Sequence, residues 1–237
     1  GNIKRALALL ATQLPAGLCY QLQNPVSVNT LLIWALAQYR YDQFKKNILN
    51  PRQLCLTAED YEKILPLVDM VYCIRDLINA PTNVMGPEQL EEAARALAAR
   101  FEADFQVCAG EALLTHNFPA IHAVGRASEY SPRLLSFTWG DPTQPRVSLV
   151  GKGVCFDSGG LDIKPAQAMR LMKKDMGGAA HVLGLASWIM QTQLPVYLEV
   201  LIPAVENAIG SNAYRPGDIL TMRNGVTVEI DNTDAEG

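Results

Sequence analysis

Histidine is scarce in this chain. Only His116, His122 and His181 occur in 237 residues. None has the short spacing of a histidine metal site, so each reads as structural. Cysteine is sparse as well. Cys19, Cys55, Cys73, Cys108 and Cys155 are far apart in sequence and form no C-x-x-C pair. That excludes a thiolate zinc centre and a disulfide framework, and fits reduced thiols in a cytoplasmic protein. No apolar run approaches the roughly 20 residues of a membrane span. The apolar stretch from Ile3 to Leu14 contains Lys4 and Arg5, but no Ala-x-Ala cleavage site follows it. Net charge is −4 with scattered Lys and Arg, which argues against a broad nucleic-acid footprint. The patterns G-x-S-x-G, G-x-x-x-x-G-K-[ST] and G-x-G-x-x-G are all missing, so neither a serine nucleophile at Ser158 nor a phosphate loop is indicated. There are no internal repeats and no low-complexity tracts.

What is present begins with apolar residues, 49% of the chain, enough for a sizeable core. Residues 1–56 read as helices with short connections: one over Asn2–Gln13 and a second over Asn29–Phe44, capped by Asn29. Thr57-Ala58-Glu59-Asp60 resembles a capping box opening a long helix through Ile78, with Pro66 inside it. After the turn-rich Asn79–Asn83 the pattern alternates. Pro87 opens a helix whose Leu90, Ala94, Leu97 and Phe101 form the buried stripe. Strands are expected over Phe105–Ala109, Arg133–Trp139, Arg146–Gly151, Val196–Ile202 and Val226–Ile230, with Val147–Val150 buried. A helical turn spans Glu111–Phe118 and a helix spans Gly177–Gln191. Strands separated by helices imply an α/β fold with a mixed, largely parallel sheet flanked by helices. The domain reading is 1–56 as the end of a smaller α/β N-terminal domain, 57–80 as a connecting helix, and 81–237 as an incomplete catalytic domain.

Chemistry concentrates where the strands end. Gly151–Asp162 reads GKGVCFDSGGLD, and Lys164, Asp175 and the run Asn232-Thr233-Asp234-Ala235-Glu236-Gly237 follow. Open α/β sheets gather ligands beyond the carboxyl ends of their strands. Taken singly, Asp157, Asp175, Asp234 and Glu236 each read as ordinary turn or cap carboxylates. As a set in glycine-rich loops they read as oxygen ligands for two divalent cations, since carboxylates bridge. Lys152 and Lys164 have two functional readings beside plain solvent exposure. A lysine near cations loses its proton and coordinates through nitrogen, or stays protonated and stabilises an oxyanion. The residues alone do not divide these roles.

Gly151–Gly160, Lys164-Pro165, Lys174–Ala180 and above all Asn232–Gly237 resemble the leucyl aminopeptidase (cytosol aminopeptidase) family, peptidase family M17, bacterial type. Tyr39–Asp42, Asn79–Asn83, Asn117–Ala120 and Pro203–Asn207 extend the resemblance over most of the chain. It implies a tighter metal site of Lys152, Asp157, Asp175 and Glu236. It implies a more exchangeable site of Asp157, Asp234 and Glu236, the metals being zinc or manganese. Lys164 becomes the catalytic lysine that polarises the scissile carbonyl. The implied reaction releases leucine and similar N-terminal residues from peptides with a free N-terminus, using a water activated by two metals. A cytoplasmic homo-hexamer is implied by the resemblance alone. So is a bicarbonate base held by an arginine that the family places directly after the residue equivalent to Gly237, so this chain is expected to be inactive or weakly active in its present form. Asp231 departs from the small residue many members carry there. Two other readings are a non-catalytic fragment serving interaction or nucleic-acid binding, and a dinuclear hydrolase of another amide bond.

Overall fold

The computed structural model describes residues 2–45 and 50–235. They fall into two compact units, Gly1–Asp76 and Leu77–Gly237.

The first unit holds α1 (Asn2–Gln13), β1 (Cys19–Tyr20), α2 (Val28–Ala37), β2 (Gln53–Leu54) and most of α3 (Ala58–Asn79). Its small core joins Leu7 and Ala11 of α1 to Trp34 of α2. Ile3 and Leu10 of α1 are exposed. Helix α2 is shorter than the expected Asn29–Phe44. It starts after Ser27, whose carbonyl accepts the Thr30 and Leu31 amides, so Ser27 and not Asn29 is the cap. It stops at Gln38, whose side-chain amide pairs both ways with the Arg52 backbone. The Thr57 cap of α3 forms as expected, the Asp60 amide donating to Thr57 Oγ1 at 3.1 Å. Pro66 sits inside α3 without ending it. Cys19 and Cys55, 36 residues apart, are brought to 2.6 Å between sulfurs as free thiols, because β1 and β2 run parallel.

The second unit contains α4 (Pro87–Arg100), β3 (Asp104–Ala109), α5 (Ala112–Thr115), α6 (Pro119–Gly125), β4 (Arg133–Trp139), β5 (Arg146–Val150), β6 (Gly153–Asp157), α7 (Ala166–Met169), α8 (Gly177–Gln191), β7 (Tyr197–Asn207), β8 (Ile219–Thr221) and β9 (Thr227–Glu229). The expected mixed α/β arrangement is present. Strand β7 is the spine. It is antiparallel to β4, which is antiparallel to β3. Along its other edge it is parallel first to β5 and then to β6. β5 and β6 thus lie end to end, with a bend at Gly151-Lys152 between them.

Leu135, Phe137, Leu198, Val200 and Ile202 of the sheet are buried with Leu90, Ala94 and Ala98 of α4 and Leu183, Ala186 and Met190 of α8. Each large aliphatic side chain buried this way contributes on the order of 1.5–3 kcal/mol. The α4 stripe runs through Ala98, and not through Leu97 and Phe101, which are half-buried. This follows the i, i+4, i+8 line from Leu90.

Three expectations for this unit change. Val150 is 69% exposed, because β5 packs on the sheet at its alternate residues only. Strand β6 replaces the loop expected after Gly151. The strand expected at Val226–Ile230 lies outside the main sheet, as β9 in a hairpin with β8. The Asn224-Gly225 turn of that hairpin has Gly225 at φ +84°. Asp234 is therefore not delivered by a sheet strand.

Candidate metal centre

The carboxyl ends of β6 and β7 lie side by side, Asp157 opposite Asn207. Asp157 is 2% exposed. Ser158 continues the pairing, its amide and its hydroxyl both donating to the Asn207 carbonyl at 3.1 and 2.7 Å. That gives the hydroxyl a structural role in joining the two strand ends. Gly159 and Gly160 then reverse the chain with φ of +87° and +63°. A Cβ on Gly160 would stand 2.9 Å from Asn207 Oδ1 and 3.0 Å from Thr233 Oγ1. Glycine is required there for both backbone conformation and space.

The reversal brings Lys164 back, its amide donating to the Ser158 carbonyl at 2.9 Å. Lys164 Nζ lies 3.1 Å from Asp157 Oδ2 and also pairs closely with Asp234 Oδ1. Burial alone lowers the lysine's pKa. Hydrogen bonds to Asp234 and Asp157, with their charges, outweigh it and hold the ammonium above the usual lysine range.

Thr233 locks the segment bearing Asp234. It is fully buried. Its amide donates to Asp162 Oδ2 at 2.7 Å, its hydroxyl donates to the Gly159 carbonyl at 2.7 Å, and the same hydroxyl accepts the Asp162 amide at 2.9 Å. Its carbonyl accepts from Asn207 Nδ2 at 2.9 Å and from the Tyr214 hydroxyl at 2.8 Å. Asn207, Thr233, Asp162 and Tyr214 were not singled out as site residues from sequence. The strand expected over Val196–Ile202 runs on to Asn207 in the structure, so the sequence reading did not mark Asn207 as a strand-end residue.

A second group forms at the bend between β5 and β6. Lys152 Nζ is 2.9 Å from Asp175 Oδ2. Asp175 sits on a 3-10 turn, Met172–Met176, directly before α8. The Ala179 amide at the start of α8 donates to the Lys152 carbonyl at 2.8 Å. So the helix that delivers Asp175 is pinned to the backbone of Lys152.

The structure therefore joins Asp157, Asp234 and Lys164 in one group and Lys152 and Asp175 in another. Glu236, expected to serve both metals, lies outside the described residues. Among the described residues no three of His, Cys, Asp and Glu converge on one point. The carboxylates are turned onto lysines. The donor set nonetheless fits a divalent cation. Asp175 Oδ2 is buried and faces the Lys152 ammonium. A buried carboxylate oxygen needs a donor or a cation, and here the lysine holds the place a divalent cation would take. Carboxylate-rich sets with one nitrogen suit zinc, manganese or similar ions. His116, His122 and His181 bond locally and take no part. Buried Cys155 is pushed up strongly by desolvation, so its thiol is inert.

The family model for the catalytic domain of the cytosol aminopeptidase family matches residues 72–237. A probable cytosol aminopeptidase of Syntrophotalea carbinolica is 41% identical over all of this chain and 50% of its own length. The crystal structure of a cytosol aminopeptidase from Coxiella burnetii is 47% identical, with a TM-score of 0.94, over 98% of this chain and 51% of that one. The bottromycin maturation enzyme BotP, solved in complex with Mn, is 30% identical with a TM-score of 0.87, over 99% of this chain and 54% of its own. The chain spans about half the length of these relatives. A catalytic-domain match over most of the chain, together with this degree of identity, places it in the cytosol aminopeptidase family.

Proposed function

We propose that the complete protein is a metal-dependent aminopeptidase that releases N-terminal residues, leucine and similar, from peptides. The observation that carries this reading is the Lys164 ammonium, 13% exposed and set between the carboxylates of Asp157 and Asp234. Lys152, Asp157, Asp175, Asp234 and Glu236 would hold two divalent cations, zinc or manganese. Bound there, the cations would supply Lewis acidity and a nucleophilic water at neutral pH. Lys164, as an ammonium, would donate to the carbonyl oxygen of the first peptide bond as negative charge develops on it. The acidic surroundings favour a substrate whose α-amino group is free. Bicarbonate as base, hexameric assembly and cytoplasmic location are proposed with the family.

Chelation of the complete protein should abolish hydrolysis of leucine p-nitroanilide, and readdition of Mn²⁺ or Zn²⁺ should restore it. Acetylated leucine p-nitroanilide should not be cleaved. Activity that survives full metal removal would sink the metal mechanism.

A further inference from the structure

Asn207 is nearly inaccessible, 1% exposed, at the last pair of β6 and β7. Its Nδ2 makes both of its hydrogen bonds to the proposed metal-binding segments. One goes to Asp157 Oδ1 at 2.9 Å and the other to the Thr233 carbonyl, next to Asp234, at 2.9 Å. Both partners are acceptors, so the amide orientation is fixed. Among the described residues its buried Oδ1 has no hydrogen-bond partner. An amide with a stranded oxygen is a poor choice for stability alone. The position needs its two N–H groups.

Asp157 Oδ1 also accepts the Gly159 amide at 2.8 Å. These two donors match the two lone pairs of that oxygen. Oδ2 is then the oxygen presented to Lys164. We propose that Asn207 is a positioning residue: its amide occupies Asp157 Oδ1, presents Oδ2 to the cation, and ties Asp157 to the Asp234 segment in one frame. In this role Asn207 acts through Asp157. This rests on the metal reading above. Partners of this kind fix the rotamer and basicity of a ligating carboxylate.

The test uses Asn207→Leu and Asn207→Ser in the complete protein, with Tyr214→Phe as control. Tyr214→Phe removes the other donor to the Thr233 carbonyl and leaves Asp157 untouched. Mn²⁺ binding is measured by chelator competition, and the rise in Tm on adding Mn²⁺ is measured beside it. For the Asn207 variants, affinity should fall about 10–100-fold, the Mn²⁺-induced rise in Tm should shrink, and kcat at saturating Mn²⁺ should drop with KM little changed. Tyr214→Phe, which loosens the Asp234 segment alone, should lower the metal-free Tm and weaken Mn²⁺ binding less than either Asn207 variant does. Asn207→Ser keeps the test alive if the leucine variant does not fold. Wild-type Mn²⁺ affinity in folded Asn207 variants would overturn the role of Asn207 alone. Wild-type protein that binds no Mn²⁺ would overturn the metal reading and this assignment with it.

Discussion

Lys164 shares two carboxylates, and its ammonium therefore persists across the neutral range. Its proposed task is to meet developing charge, not to hold metal. Replacement by methionine keeps the bulk and removes the charge. Lys164→Met should lower kcat for leucine p-nitroanilide by about 10²–10³, the usual cost of one oxyanion donor. Metal stoichiometry, read by elemental analysis, should stay at the wild-type value. Loss of metal in that variant would reassign Lys164 to holding Asp157 in place. At this scale the sequence disclosed residue types well. Asp157, Asp234 and Lys164 were legible because carboxylates and lysines gathered in glycine-rich stretches. Asn207 was not, because an asparagine at a strand end is indistinguishable from a turn former until its two acceptors are placed.

Among the elements, the bend between β5 and β6 and the start of α8 depend on each other. A Cβ on Gly178 would lie 2.8 Å from the Lys152 amide nitrogen, and one on Gly151 would lie 2.8 Å from the Gly178 carbonyl oxygen. Only backbone without side chains passes here. Gly177, one residue earlier, has room for a methyl group, which would make an ordinary contact with Ile78 Cδ1 at 3.7 Å. Gly178→Ala should therefore destabilise by roughly 1–3 kcal/mol through overpacking against backbone. Gly177→Ala should be neutral or stabilising by up to about 1 kcal/mol, since it only reduces unfolded-state freedom. Urea unfolding of the two variants decides it, and equal losses would refute the close-approach account. Helix α8 was legible from its 3.6-residue apolar pattern. Strand β6 was not: Gly153, Val154, Cys155, Phe156 and Asp157 lack alternation, because nearly the whole strand is enclosed. Val150 failed the other way, since an apolar run says nothing about which face a neighbour covers.

For the molecule as a whole, one contribution to stability against acid comes from a charge cluster away from the candidate site. Arg133 of β4, its side chain 8% exposed, donates to Glu91 Oε2 at 2.7 Å and to Glu88 Oε1 at 3.1 Å, both on α4. These bonds tie the helix to the sheet. Burial raises the Glu91 pKa. Hydrogen bonds from Arg95 and Arg133, with their charges, outweigh that and hold it below the usual carboxylate range. A folded-state pKa below the unfolded one means stabilisation that is full above the unfolded value, about 4.3 for glutamate, and is lost as pH falls through the folded value. Glu91→Gln should cost roughly 1–2 kcal/mol near pH 7, where Arg133 keeps only the half-exposed Glu88. The gap to wild type should persist down to about pH 5 and close below about pH 4, as wild-type Glu91 itself takes up a proton. Urea midpoints for both proteins between pH 7 and pH 3 measure this directly. A gap that stays constant to pH 3 would mean that Glu91 contributes by packing and not by charge. Sequence pattern placed α4 and β4 in one α/β layer, but no local pattern announces that an arginine on a strand will reach two glutamates more than 40 residues earlier. That pairing exists only once the helix lies across the sheet.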